Sequence, residues 1–480
     1  MEGEYKPKFT RGQLIFLIVV VLINVVLWII PSDVVELVAR DRQTLLGRYS
    51  RRHFTWILAV FAVSAILIRL HLSPSWAVKK KRIFHVVAVL LALFVTLFAA
   101  DVTLRLTKSW RYVLGDLAYH RPPGSVWEDV FEDKPEAIRT YPNAPKGYPT
   151  VHSTMTIDQR GFRNLGTAKH YRVVVLGDSF AEGSYVSDKQ TWPYLFAQKS
   201  KVPTYNLGMS GYAPQHYRAA MMQYGVPLKP EIVFCLIYEG NDFKSAKVTL
   251  KAPSEWLRFF KRSPIIDAID GFLVRTLGPI GANRQVDGFD MLSWMPVAFP
   301  PGPDTRYYAF PPIHLVRHYV TRSEFEEDKH WKRTATNLDE ILTLTEQAGT
   351  RLVVLFAPTK PHVVMPPLSD SLPAEKVRAF VALKTDEKLP PAKEFLRELI
   401  ADFDVKESVT QQWCEAHDVA FLSLTQPLRD AAAQGRQVFF TYNQHWSPVG
   451  HEVVAQAIAQ AWPKLSHATA QPKLAENREE

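Results

Sequence analysis

Three apolar runs crowd the first hundred residues, and they constrain everything that follows. Leu14 to Ile30 is 17 residues long with Asn24 as its polar interruption, and Ile83 to Ala100 is 18 residues long with His85 near its start. Between them, Phe54 to Ile68 is shorter and reaches spanning length if Arg69 snorkels to the interface. Runs of about 18 apolar residues match the hydrocarbon thickness of a bilayer when coiled as helices. The sequence therefore predicts a membrane region over residues 1–112, with helices over about 13–31, 54–72 and 83–100. No small-residue cleavage site follows Ile30 before the next run, which argues against a cleaved signal peptide.

The charge divides at the same boundary. Residues 1–112 carry 16 Lys and Arg against 6 Asp and Glu, whereas the remainder carries 41 against 42. A basic chain raises nucleic acid as a partner. Here the excess flanks apolar runs, so it points to the lipid bilayer and to membrane topology, with no nucleic acid partner expected. Lys6, Lys8 and Arg11, together with Lys79, Lys80, Lys81 and Arg82, put the N-terminus inside. Arg40, Arg42, Arg48, Arg51 and Arg52 in the first loop weaken that bias. Three crossings place everything after Arg105 outside the cytoplasm; if the second run does not cross, the C-terminal part is cytoplasmic instead.

From about residue 150 the pattern becomes strands alternating with helices. Strand-like runs are Tyr171 to Leu176, Val202 to Leu207, Glu231 to Tyr238, Arg351 to Phe356 and Val419 to Leu424. Helical stretches fall at about 191–200, 213–224, 335–348, 391–416 and 449–462. Such alternation predicts an α/β fold, a parallel sheet with helices on both faces, over 151–465. Sites in such sheets lie on loops at the C-terminal ends of the strands. Residues 113–150 read as a linker and 466–480 as a loose tail. Residues 243–330, with Trp256, Phe259, Phe260, Trp294, Phe299, Tyr307, Tyr308 and Phe310, are too long for a bare loop and read as an inserted subdomain or lid. Those aromatic residues can be core or can stack on sugar rings. Of the two cysteines, Cys235 sits in a strand-like run and reads as packing. No metal-ligand cluster appears, so no metal or cofactor is expected, although His152, His216 and His362 are scattered candidates.

The strand ends carry the chemistry. They read Gly177-Asp178-Ser179-Phe180, Asn206 to Gly211, and Gly240-Asn241-Asp242, and near the C-terminus stands Asn443-Gln444-His445 before Gly450-His451. A serine hydroxyl is nearly inert at neutral pH and needs a base within hydrogen-bond reach. A histidine late in the chain can supply one. The oxyanion of a tetrahedral intermediate needs fixed donors, and the N–H groups of Ser179 and Gly211 and the Asn241 amide suit that task.

These four blocks, in this order, resemble the SGNH, or GDSL-type, hydrolases over roughly residues 155–465. The resemblance implies a three-layer parallel-sheet domain with Ser179 as nucleophile, Gly211 and Asn241 as oxyanion donors and His445 as general base. Asp158-Gln159-Arg160-Gly161-Phe162-Arg163 resembles a segment common in membrane-linked members. Asp178 reads as structural, and so does His451; no role follows for Asp242. One position departs from the family. An aspartate is expected two or three residues before the histidine, and here Asn443 and Tyr442 stand instead. In a serine protease triad, Asp→Asn costs about four orders of magnitude because the wrong tautomer is favoured. Asn443 can serve if its amide oxygen faces the ring; a plain dyad, or an acid such as Asp404, Asp418 or Asp430, stays open.

The resulting expectation is a membrane-anchored serine esterase or O-acyltransferase of the bacterial inner membrane. Its catalytic domain would lie outside the cytoplasm and act on acylated envelope or exported polysaccharide, or another ester. Envelope-assembly membrane proteins are candidate partners. The rival is a catalytically silent carbohydrate-binding or assembly component, favoured by Asn443 and opposed by the intact Ser179, Gly211, Asn241 and His445.

Overall fold

A computed structural model describes residues 10–29, 44–45, 49–72, 75–107, 113–114, 118–134, 145–244, 272, 294–385 and 387–467. The chain forms two compact units, one built on the N-terminal helices and one on the described residues from Val113 onward, Phe272 excepted.

In the N-terminal unit, α1 (Arg11–Ile29), α2 (Arg51–His71) and α3 (Trp76–Thr107) are all long and apolar enough to cross a membrane. Asn24, the polar interruption of the first run, donates from Nδ2 to Ser64 Oγ of α2 at 2.8 Å and to Val20 O at 2.8 Å. A polar group inside an apolar helix costs least when a neighbouring helix satisfies it, and the bond ties α1 to α2.

The second unit is built on a five-stranded sheet. Its strands are β1 (Val173–Leu176), β2 (Thr204–Asn206), β3 (Ile232–Tyr238), β4 (Arg351–Ala357) and β5 (Ala420–Ser423). They lie in the order β5-β4-β3-β1-β2, every pair parallel. All residues of β1 and β3 are buried, as continuous apolar runs in a sheet covered on both faces should be. Alternate side chains serve two cores. Val173, Val175, Phe234, Leu236, Val353 and Leu355 face one, and Val174, Leu176, Val233, Cys235, Ile237 and Val354 face the other. Helices Trp192–Ser200, Ala392–Asp402 and Pro448–His467 close the first face; Pro214–Ala220, Lys329–Gln347 and Val405–Ala416 close the second. The result is three layers, as expected. The strand order reverses between β1 and β3, and loops leaving the two strands diverge there to form a crevice.

Three segments differ from the sequence-based expectation. Residues 113–150 are more than a linker: Val126–Phe131 pairs antiparallel with Val151–Thr156, running from Val126 opposite Thr156 to Phe131 opposite Val151. The expected helix over 391–416 is two helices, and the break presents Asp404 to His362. The expected helix at 335 begins at Lys329, because the Asp328 side chain caps it by accepting from the His330 N–H. Within 243–330, the described part is an antiparallel hairpin, Met295–Phe299 with Arg306–Phe310. Phe299, Tyr308 and Phe310 are buried in the first core, whereas Tyr307 is exposed. Trp256, Phe259 and Phe260 lie outside the described residues.

Candidate active site

Ser179 opens a four-residue helix, Ser179–Glu182, directly after β1. Its N-cap is Asp178, whose side chain accepts from the Phe180 N–H at 2.9 Å. This bond turns the chain at the strand end and sets the serine at the rim of the sheet. His445 reaches the same point from 266 residues away: its Nε2 lies 2.7 Å from Ser179 Oγ. The imidazole stacks on Phe180, with ring centroids 4.8 Å apart, and Phe180 stacks in turn on Tyr238 at the end of β3.

Asn443 lies on the far side of the ring. Its Oδ1 is 2.6 Å from His445 Nδ1 and accepts the His445 backbone N–H at 2.9 Å. A backbone N–H can only donate, so the atom facing it must be the amide oxygen rather than the nitrogen. The same oxygen then requires a proton on Nδ1, which leaves the Nε2 lone pair for the serine hydroxyl. Asn443 thus selects the tautomer that a base needs. It does not supply the negative charge that an aspartate would place there. Of the other acids considered, Asp404 pairs with His362 and Asp430 accepts from Gln426.

Residues 318–479 match the family described as "SGNH hydrolase-like domain, acetyltransferase AlgX". Over those residues the second unit is SGNH hydrolase-like. The matched stretch holds Asn443 and His445, while Ser179 comes from the part before it. Solved structures similar to the chain include a GDSL-like lipase from Bacteroides thetaiotaomicron, at 12% identity over 63% of this chain and 92% of that one, with a TM-score of 0.27. Others are the lipase/acylhydrolase from Enterococcus faecalis, at 12% identity, 61% and 96% coverage and 0.27, and the psychrotrophic esterase EstA from Pseudoalteromonas, at 11%, 61% and 97%, and 0.27. No curated protein sequence matches the chain.

In the second unit the expected donors Gly211 and Asn241 sit on loops leaving the two strands that flank β1. Gly211 follows β2 with φ +84°, a conformation that favours glycine. The loop before it runs beside β1 through Leu207 N–H to Val175 O and Met209 N–H to Gly177 O. Gly208 permits this approach, since a Cβ there would stand 2.5 Å from the Ala181 Cβ. Among the described residues no protein group accepts from the N–H of Ser179 or of Gly211. Asn241 follows β3, and its Nδ2 donates to Asp178 Oδ2 at 2.8 Å. That bond fixes the amide's orientation and leaves its second N–H free of Asp178.

Burial sets the electrostatics. His445 is pushed down to about 3, by burial first and by the Lys360 ammonium second, so it is neutral at physiological pH. Asp178 is raised to about 6 by burial, against the bonds from Phe180 and Asn241. Asp242, accepting from Tyr217 Oη at 2.9 Å and the Tyr238 N–H at 2.7 Å, is also raised by burial, with the Asp178 charge adding to it. Asp178 and Asp242 therefore order the turn around Asn241. His451 is buried in the last helix and its Nδ1 accepts from the Trp192 N–H at 3.3 Å, a structural role. His216 caps its helix by accepting from the Ala213 N–H, and His362 is ion-paired to Glu239. Among the described residues, no three His, Cys, Asp or Glu side chains are placed to share a metal ion.

Several site-supporting residues escape the sequence reading. Arg121 forms a bidentate ion pair with Glu182 at 2.7 and 2.8 Å, and Glu182 also accepts the Ser210 N–H at 3.1 Å. One buried carboxylate thereby joins the serine helix to the Gly211 loop. Arg163, from the segment that resembled membrane-linked members, pairs with Asp188 at 2.8 Å and donates to the carbonyls of Gly183 and Val186 just past the serine helix. Asp133 lies against the loop carrying Asn443. Arg121 and Asp133 fall in a stretch without hydrophobic periodicity, so no local pattern marks them.

Proposed function

We propose that the chain is a membrane-anchored serine acyl-ester hydrolase or O-acyltransferase. The observation that carries this reading is the continuous hydrogen-bond chain from Ser179 Oγ through both nitrogens of His445 to Asn443 Oδ1. Ser179 attacks an ester carbonyl while His445 Nε2 takes its proton. The oxyanion is received by the N–H groups of Ser179 and Gly211 and the free N–H of Asn241. Collapse expels the alcohol, which takes the proton back from His445. Water then releases the acyl group as acid, or a sugar hydroxyl accepts it as a new ester.

The matched family, which is described by an acetyltransferase, and the membrane-length helices are the support for a substrate class. Together they favour small acyl groups carried on envelope or exported polysaccharide. The Lys and Arg distribution favours a domain outside the cytoplasm of a bacterial inner membrane. Envelope-assembly membrane proteins are the expected partners of such an anchor.

The purified full chain should release acid from an aryl acetate. With a mixed set of oligosaccharides present, part of the acetyl group should appear on sugar. A product pool of free acid alone would exclude transfer to the sugars supplied. No turnover of any ester above a Ser179→Ala control would favour the silent binding component.

A further inference from the structure

The carboxylate of Asp133 accepts four backbone N–H groups: Tyr148 at 2.8 Å, Thr441 at 2.7 Å, Tyr442 at 3.1 Å and Asn443 at 3.0 Å. Three of these are consecutive, so residues 441–443 curl round the acid as a concave nest of N–H donors. Asp133 is 7% exposed. It lies 310 residues before Asn443 in the chain, in the stretch that reads as a linker. Bonds to an ionised acceptor are stronger than neutral ones and hold their donors tightly.

Asn443 is thus held twice. Its N–H rests on Asp133 and its Oδ1 faces His445 Nδ1. The loop is also held from another side by Lys360, whose buried Nζ donates to Thr441 O at 2.8 Å and Ala309 O at 2.9 Å. The Thr441–Tyr442 peptide unit is therefore bracketed by the Asp133 carboxylate at its N–H and by the Lys360 amine, which burial pushes down to about 7, at its carbonyl. The ammonium works against a positive imidazole, and the Asp133 carboxylate lies on the other side of the same peptide. When Ser179 surrenders its proton, His445 must become an imidazolium in a water-poor site, where a nearby negative charge counts for more than in bulk solvent.

We infer that Asp133 is a positioning residue that supplies, from behind Asn443, the negative charge that the side chain of residue 443 lacks. The inference rests on the reading of Ser179 as nucleophile and His445 as base. It assigns the acid's two usual tasks to two residues. Asn443 selects the tautomer by contact; Asp133 aims Asn443 and carries the charge. The opposing role of Lys360 follows from the same geometry.

The test uses the full chain in detergent and a fluorophosphonate that phosphonylates the serine, with the inactivation constant k_inact and the binding constant K_I measured separately. Asp133→Asn should lower k_inact about thirtyfold with K_I within about twofold. Adding Asn443→Asp to that variant should recover about tenfold or more, because a carboxylate returns beside the ring. Lys360→Met, of similar volume, should raise k_inact a few-fold by removing the opposing charge. A loss in Asp133→Asn that Asn443→Asp does not recover would reduce Asp133 to a loop clamp and overturn the inference. So would falls in both Asp133→Asn and Lys360→Met, or an Asp133→Asn variant that reacts like wild type. Wild type that is not labelled above Ser179→Ala would instead remove the nucleophile reading, and this inference with it.

Discussion

Two buried histidines sit near the C-terminal end of this sheet, and they are set in opposite ways. His445 has a neutral amide at Nδ1 and a hydroxyl at Nε2, and burial with the Lys360 ammonium pushes it down to about 3. His362 has Glu239 at Nδ1, 3.1 Å from both oxygens, and Asp404 at Nε2, 3.0 Å away. Burial alone would lower His362 too, but Glu239 and Asp404 outweigh it and raise the ring to about 9. One imidazole is therefore neutral with a free lone pair beside a serine. The other is a cation locked between carboxylates. An imidazole between two acids looks more like a relay than one beside an asparagine, yet only the second has a lone pair facing a serine hydroxyl. Which groups surround a histidine decides whether it can move a proton; burial by itself does not.

The sharpest way to break this contrast is to remove each ring in turn and follow aryl acetate turnover. His445→Gln should cost about six orders of magnitude, as loss of a triad base does. His362→Gln should leave the rate within about tenfold. A comparable loss from both would mean that His362 takes part in the chemistry.

Stability should reverse the ranking. His362→Leu takes from the buried Glu239 the imidazolium that hydrogen-bonds it, and removal of one member of a buried ion pair typically costs about 3–5 kcal/mol. Ser179→Ala should leave the melting temperature nearly unchanged. Thermal unfolding of the two variants checks this, and equal melting temperatures would show that the Glu239–His362–Asp404 contact contributes little.

The smallest effect is on the pH dependence of stability, and its sign differs between the two rings. A raised histidine such as His362 stabilises the fold below its unfolded value of about 6.5, and that contribution is lost as pH rises through about 9. A depressed one such as His445, at about 3, stabilises the fold above about 6.5 and loses its contribution as pH falls below that value. His314 and His451, also lowered to about 3 by burial, add to the acid side. His362→Gln should therefore flatten the alkaline side of a melting-temperature profile, and His445→Gln part of the acid side. Flattening on the same side in both would contradict the opposite settings.

Much of the sheet can be read from the chain. The runs at Glu231 to Tyr238 and Arg351 to Phe356 became β3 and β4 within a residue, because a strand buried on both faces must be apolar throughout. Ser179 and His445 were legible because each stands in a short block beside a predicted strand end or helix start. The orientation of Asn443 was not: it depends on one backbone N–H in its own loop. Asp133 and Arg121 were invisible for a different reason. Their roles arise from bonds to residues 310 and 61 positions away, and nothing local distinguishes an aspartate that will meet three distant amides from one facing solvent. The same limit explains why Asp404 stood open as a partner for the base until the contact with His362 placed it.

The proposed chemistry requires that His445 activate Ser179 across the 2.7 Å gap between Oγ and Nε2. The most direct measurement treats wild type, Ser179→Ala and His445→Gln with a fluorophosphonate and maps the adduct by mass spectrometry. The adduct should sit on Ser179 in wild type, be absent from Ser179→Ala and form far more slowly in His445→Gln. An adduct on any other residue, or equal labelling of wild type and His445→Gln, would contradict it.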